Sequence, residues 1–358
     1  MRFGTVTDVQ PGICTVKVAG GEIPVIYLKG STPTKGEFVA VHRQGVVSYL
    51  LNPPTLGALW AGDSNLNGIW RVPTSGQNPV FYATPGIPIH AVVEGPDKNI
   101  WACGNGSTAS YVLRMTSSGS QIGQFASVAL ASSGDGSPYL DGICVGPDGN
   151  LWVADANGFV WKITPELVAS GPYSLPTSAP YGISAGPDGN LWATDNNNNA
   201  LWKITTAGVP TEVKLVPSGS PSGGSVQYVC VGSDGDLWAS DYDGGIWRCT
   251  TSGQSVWAAV TQSFAAPEGI CAGPDHRIWM ADDALGGVWA FTTDLTIQFY
   301  ATNPSASLNP YAICAGPDGR LWTGVPSGGF LVAFTTKGTP VTYPLSATAQ
   351  PYSICSGP

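Results

Sequence analysis

Residues Tyr311 to Ala315 form an unbroken apolar run, the pattern of a strand covered on both faces. Gly316-Pro317-Asp318-Gly319 follows and supplies turn chemistry. Pro presets φ, Asp bonds its own backbone, and Gly tolerates a positive φ. Leu321-Trp322 starts the strand coming back. The phrase recurs from Tyr181 to Trp192, and in looser form at residues 90–101, 141–152, 227–238 and 268–279. One such hairpin cannot bury both faces, so repeated copies must stack.

The tryptophan after each turn falls at 101, 152, 192, 238, 279 and 322, a spacing of 40 to 51 residues. Trp60 has the downstream half of the motif without the turn, and Pro351 to Pro358 is the upstream half. The last strand is therefore expected beside the strand of Trp60. Third strands are predicted at 68–72, 111–115, 159–163, 200–204, 245–249, 287–291 and 330–334. Fourth strands are predicted at 79–84, 123–128, 172–176, 210–216, 254–260, 297–302 and 340–345. Seven such units predict a seven-bladed β-propeller closed by its C-terminal strand, which protects sheet edges by radial repetition. A solenoid caps its ends instead of joining them, so the split first unit argues against that alternative.

Residues 1–52 lie outside the repeat. Short strands are predicted at 3–9, 13–19, 22–28, 37–42 and 46–51, with Cys14, Val16 and Val18 alternating against Thr15, Lys17 and Ala19. Five strands in about 50 residues suggest a small β-barrel of the OB or SH3 kind, with a core that is marginal alone. Residues 53–57 form a linker stiffened by Pro53-Pro54, and the propeller occupies 58–358. The whole chain reads as all-β.

Composition narrows the function. Charged residues make up only 11%, with Gly 47, Pro 30, Trp 13 and a net charge of −9, so nucleic acid is not an expected partner. The first residues go directly into a strand pattern without a secretory signal, and no apolar run is long enough for a membrane helix. Cys144, Cys230, Cys271, Cys314 and Cys355 recur two residues before the turn Gly, as apolar packing groups with free thiols. That usage fits a reducing compartment during synthesis.

Where each inner strand begins, the seven copies carry His90, Asp141, Tyr181, Gln227, Glu268, Tyr311 and Tyr352. This position rims the mouth of a propeller's central channel and could bind a sugar, a cation or a small ligand. The plainer reading is a polar funnel holding water. Asp63, Asp155, Asp195, Asp241 and Asp282 stand three residues after the motif Trp. They are expected to cap the next turn through backbone N–H groups, in preference to binding calcium. Trp70, Trp161, Trp202, Trp247 and Trp289 are read as packing between blades, and Arg71, Arg114, Lys162, Lys203 and Arg248 as solvated. Asn196 to Asn199 reads as a polar turn, and the Gly/Ser insertions 131–138 and 218–225 as mobile loops. No nucleophile elbow, phosphate loop or zinc cluster is present.

The repeated Gly-Pro-Asp-Gly-x-Leu-Trp-x-x-Asp, preceded by Pro-Tyr-x-Ile, resembles the propellers of the virginiamycin B lyase family and their NHL-type relatives over residues 58–358. That resemblance implies histidine and glutamate side chains working with a metal in the funnel. Here His90 is the one histidine at the rim, since His42 lies in the barrel and His276 in a turn. General base work could fall to His90 or Glu268. Residues 1–52, from Arg2-x-Gly4-Thr5-Val6 to Pro24-Val25-x-Tyr27-Leu28, are similar to small barrels of tailed-bacteriophage minor tail proteins. The pairing implies a virion structural protein, made in the host cytoplasm and oligomeric in the virion. Residues 1–52 would dock on other tail proteins, and the propeller would stabilise the tail tip or bind a host-surface glycan. On that reading the protein is not an enzyme and needs no cofactor or metal. The alternatives are a metal-assisted lyase or hydrolase of the virginiamycin B lyase kind, and a soluble lectin.

Overall fold

A computed structural model describes the chain except residues 1, 11–12, 19–20, 28–37, 45–46, 52–56, 76–77, 108, 119–121, 131–137, 216–224, 261–264 and 302–308; residues 2–51 are described in backbone alone. Two compact units result, Met1–Gly57 and Ala58–Pro358. The first contains β1 (Arg2–Gln10), β2 (Ile13–Val18), β3 (Gly21–Tyr27), β4 (Phe38–Gln44) and β5 (Val47–Leu51). β1 pairs antiparallel with β2 and β4, as do β2 with β3 and β4 with β5, whereas β3 and β5 run parallel. The OB or SH3 kind stays an expectation beside these backbone pairings, the alternating face concerns side chains outside the described residues, and most of the two Gly/Ser insertions lie outside them.

The second unit is seven antiparallel sheets of four strands each, and no helix occurs among its described residues. Six blades are continuous in sequence. The first is completed by Pro351–Gly357, which pairs with Ala58–Asp63 and sets Cys355 opposite Trp60. The ring therefore closes where the split motif placed the closure.

Packing explains why the second strand of each blade is buried almost throughout. The seven motif tryptophans are fully buried, and each packs into a cluster shared with the next blade. Trp101, for example, meets Leu140, Leu151 and Trp161. With neighbours on both faces, a second strand has no solvent side to mark with polar residues. The turn is tied to the same tryptophan. Asp318 Oδ1 accepts the indole N–H of Trp322 at 3.1 Å and the Arg320 N–H at 3.1 Å. Asp97, Asp148, Asp188, Asp234 and Asp275 hold their tryptophans in the same way. Gly316 is required there, because a Cβ would come within 2.5 Å of the Trp322 ring.

The Asp at the end of each second strand caps the following turn as expected and also binds an indole. Asp282, fully buried, accepts the backbone N–H of Leu285 (3.0 Å) and Ala266 (3.1 Å) and the Nε1–H of Trp289 (2.7 Å). Asp63, Asp155, Asp195 and Asp241 take Trp70, Trp161, Trp202 and Trp247 likewise. The Asn196–Asn199 run is the polar turn beside Asp195, whose Oδ1 accepts the Asn197 N–H.

Two expectations are corrected. The third-strand cations are not simply solvated. Lys162 and Lys203 each lie 2.8 Å from a turn carboxylate, Asp148 and Asp188, and Arg248 lies 2.8 Å from Asp236. Each also lies over its motif tryptophan ring at 5.5–5.7 Å. Several reach the next blade, as Lys162 does through the Thr206 carbonyl. The fourth strand of the third blade runs Ala169–Ser174 instead of starting at Pro172. Leu167 closes the preceding turn at φ 64°, a conformation its side chain does not announce, and the ladder shifts register between Val160 and Lys162, opposite Gly171-Pro172.

Candidate active site

Bulges decide which side chains reach the propeller axis. In five blades the ladder between the first two strands shifts register at its mouth end. The residues left out of those ladders are His90, Asp141, Gln227 with Tyr228, Glu268 with Gly269, and Tyr352. In the other two blades the inner strands are short, Ile183–Ala185 and Ile313–Ala315, so Tyr181 and Tyr311 precede them. A residue freed from its ladder can aim its side chain away from the blade's packed faces. Buried hydroxyls from the second strands satisfy the loosened backbone. Thr194 Oγ1 accepts the Gly182 N–H at 2.9 Å and donates to the Gln227 carbonyl at 2.8 Å. Ser240 accepts the Tyr228 N–H, and Thr323 donates to the Ala312 carbonyl.

The result is an axial cavity of about 190 Å³ whose polar lining is His90, Asp141, Tyr228, Tyr311, Tyr352 and Ser353. Four of the seven expected rim residues therefore line it directly. Gln227 contributes its carbonyl to the inter-blade bonds above. Glu268 stands behind the wall, only 5% exposed, and its Oε2 has no hydrogen-bond partner. The Tyr181 phenol is pushed up first by burial, then by the charges of Asp141 and Glu268, which keeps it within the electrostatic reach of the same site.

Tyr228 is the residue that rim spacing misses. The position after the rim residue reads Ala91, Gly142, Gly182, Tyr228, Gly269, Ala312 and Ser353 around the ring. Small residues are needed there because adjacent inner strands touch. A Cβ on Gly142 would lie 2.3 Å from the Tyr181 carbonyl oxygen, and one on Gly269 would lie 2.7 Å from that of Tyr311. The single large residue in that series was the available signal. The Tyr228 ring stands edge to face with Tyr311 (centroids 6.3 Å apart, 81°), and Tyr311 with Tyr352 (5.0 Å, 75°). Burial raises both the Tyr228 and Tyr311 phenols, with the Tyr311 group and Glu268 respectively adding most to that shift.

Two groups can move protons. His90 Nδ1 lies 3.5 Å from Asp141 Oδ1, and the Tyr139 ring packs edge-on against the imidazole. Glu268 is pushed up to about 8, first by burial and then by the charges of Asp283, Asp141 and Asp282. Among the described residues, no three His, Cys, Asp or Glu side chains converge to hold a metal ion. The funnel donors come as one pair, His90 with Asp141, and one lone Glu268. The metal that the resemblance implies therefore has no preformed three-ligand seat among them. The described cysteines are free, and burial raises the thiols of the inner-strand set, Cys271 to about 12.

Solved structures share the fold. A catalytically inactive virginiamycin B lyase variant from Staphylococcus aureus, crystallised with quinupristin, is 24% identical, covers 75% of this chain and 89% of its own, and has a TM-score of 0.68. A streptogramin B lyase is 22% identical over 83% of this chain and 91% of its own, with a TM-score of 0.66. A protein from Lactobacillus plantarum is 11% identical over 84% and 99%, with a TM-score of 0.65. No curated protein matches in sequence. None of these likenesses is to a phage tail protein, and the virion reading gains no support from them. The profile of the virginiamycin B lyase family matches residues 160–358, which include Tyr228, Glu268, Tyr311 and Tyr352 but not His90 or Asp141. That match overturns the expectation of a protein that is not an enzyme. With more than half its length matched, the chain belongs to the virginiamycin B lyase family.

Proposed function

We propose that the chain is a lyase whose axial funnel opens a cyclic ester by acid–base chemistry. The observation that carries this reading is Glu268, a buried carboxyl with an unpartnered oxygen that burial and nearby carboxylates push up to about 8. A base works best when its pKa lies near the working pH, and burial with like charges nearby is how a carboxylate is brought there. This assignment requires the Glu268 carboxyl to turn from behind the wall into the cavity, where it removes a proton from the carbon next to the ester C–O bond. The C–H electron pair becomes a carbon–carbon double bond, the C–O bond breaks, and its electrons stay on the departing carboxylate. His90, held by Asp141, gives that carboxylate a proton or hydrogen bond. Tyr228, Tyr311 and Tyr352 supply the wall against which the substrate is held.

Mass spectrometry separates this reaction from its main competitor. The full chain is incubated with quinupristin, the ligand named with the S. aureus relative. Elimination gives a linear product of unchanged mass, and hydrolysis adds one water. An unchanged ring over long incubation, or a product carrying a water, contradicts the assignment.

A further inference from the structure

Charge is segregated along the propeller axis. Every Lys and Arg between residues 58 and 358 except Lys214 lies at the Gly-Pro-Asp-Gly end, most of them on turn carboxylates. Lys214 sits on an outermost strand and pairs with Glu212. The mouth end has the opposite character, with Asp141, Glu268 and Asp283 near the funnel and His90 as the basic side chain lining it. An anionic ligand would meet these carboxylates with no Lys or Arg of this unit's described residues to offset them. Three tyrosines, Tyr228, Tyr311 and Tyr352, line the same cavity in an edge-to-face row. Two buried polar atoms close by have no protein partner, Ser353 Oγ on a lining residue and Glu268 Oε2 behind the wall. Buried polar atoms are normally paired, so a pair of orphans beside one cavity marks a place where a ligand completes the bonding.

From this we infer that the funnel is an ammonium site, holding a protonated or quaternary amine of the substrate against the Tyr228, Tyr311 and Tyr352 rings with Asp141 and Glu268 as counter-charge. The inference rests on the funnel being the substrate site of the proposed lyase. Aromatic faces attract a cation through their quadrupole, and the attraction grows when both partners are desolvated, as they are here. A cavity of about 190 Å³ admits a trimethylammonium-sized head group. The bound cation also changes the acid–base balance. Burial first, and then the charges of Asp283, Asp141 and Asp282, bias Glu268 toward its neutral form, while the buried phenols of Tyr228 and Tyr311 stay uncharged. A positive charge beside Glu268 opposes that bias and favours the carboxylate, so a cationic substrate would ready its own base.

Choline and its uncharged isostere, dimethylbutanol, are the probes, titrated into the full chain by saturation-transfer NMR. Choline is expected to bind at least ~10-fold more tightly than the alcohol. Its affinity should rise with pH as Glu268 ionises. Tyr311→Leu, Tyr352→Leu and Glu268→Gln should each weaken choline by roughly 3–10-fold, with thermal melts confirming that each variant is folded. Equal affinity for the two probes, no saturable choline binding, or binding unchanged in all three variants overturns the inference. No turnover is read, so choline binding without ring opening refutes the lyase alone. Ring opening without a preference for choline refutes the ammonium site alone.

Discussion

At the scale of single residues, Glu268 has the clearest consequence for stability. Its folded pKa of about 8 stands above the ordinary 4.5. The folded state therefore holds a proton that the unfolded state has released across that window. Stability should fall as pH rises from about 4.5 to about 8, by an amount on the order of 5 kcal/mol at most. Glu268→Gln keeps the shape and removes the ionisation. We expect its melting temperature to exceed that of the parent at pH 8 and to lose most of that slope in thermal melts. Asp282→Ala should act in the other direction. It strands the N–H groups of Leu285, Ala266 and Trp289 in a fully buried site, and should cost about 2–4 kcal/mol in denaturant unfolding. The capping half of that role was legible, because Asp before a turn has a local signature. The indole half was not. It spans seven residues and two strands, and no short-range pattern records it. Glu268 was legible as a rim position, but its burial was not, since that depends on where the bulge between Pro267 and Ile270 places the side chain.

At the scale of elements, the hairpin of turn Asp, motif Trp and cation is the unit that repeats. Asp318→Ala removes the acceptor for the Trp322 indole and the ion pair with Arg320, and thereby loosens Arg320 from the Thr74 carbonyl of the first blade. The site is partly exposed, so an effect of about 1–2 kcal/mol is expected from urea midpoints. A larger loss than that of a matched surface Asp→Ala would show the turn acting as an inter-blade tie. The hairpins, their number and their order were readable from Gly-Pro-Asp-Gly and Trp alone. The cations were misread because a Lys at the end of an apolar strand looks solvated until the next blade's turn is placed beneath it. Tyr228 was passed over for a related reason. Rim spacing counts one residue per blade, whereas the bulge between Val226 and Val229 frees two.

At the scale of the whole molecule, closure joins the two ends of the second unit. Pro351–Gly357 supplies the inner strand of the first blade and brings Tyr352 and Ser353 to the funnel. Deleting residues 350–358 should expose the edge at Ala58–Asp63 and lower the melting temperature sharply or leave the protein insoluble. A truncated chain that melts like the parent would contradict the ring. Closure was visible in the split motif because each half is recognisable on its own. The chemistry inside the ring was less so, since it depends on seven inner strands converging from residues 90 to 352. The most direct test of that convergence is the pH dependence of kcat/KM for opening of the quinupristin ring. The parent should gain activity as pH rises through the Glu268 value near 8, and Glu268→Gln should lose about 10²–10⁴-fold together with that limb. A Glu268→Gln variant that opens the ring at the parental rate with the parental profile would contradict an acid–base funnel built on Glu268.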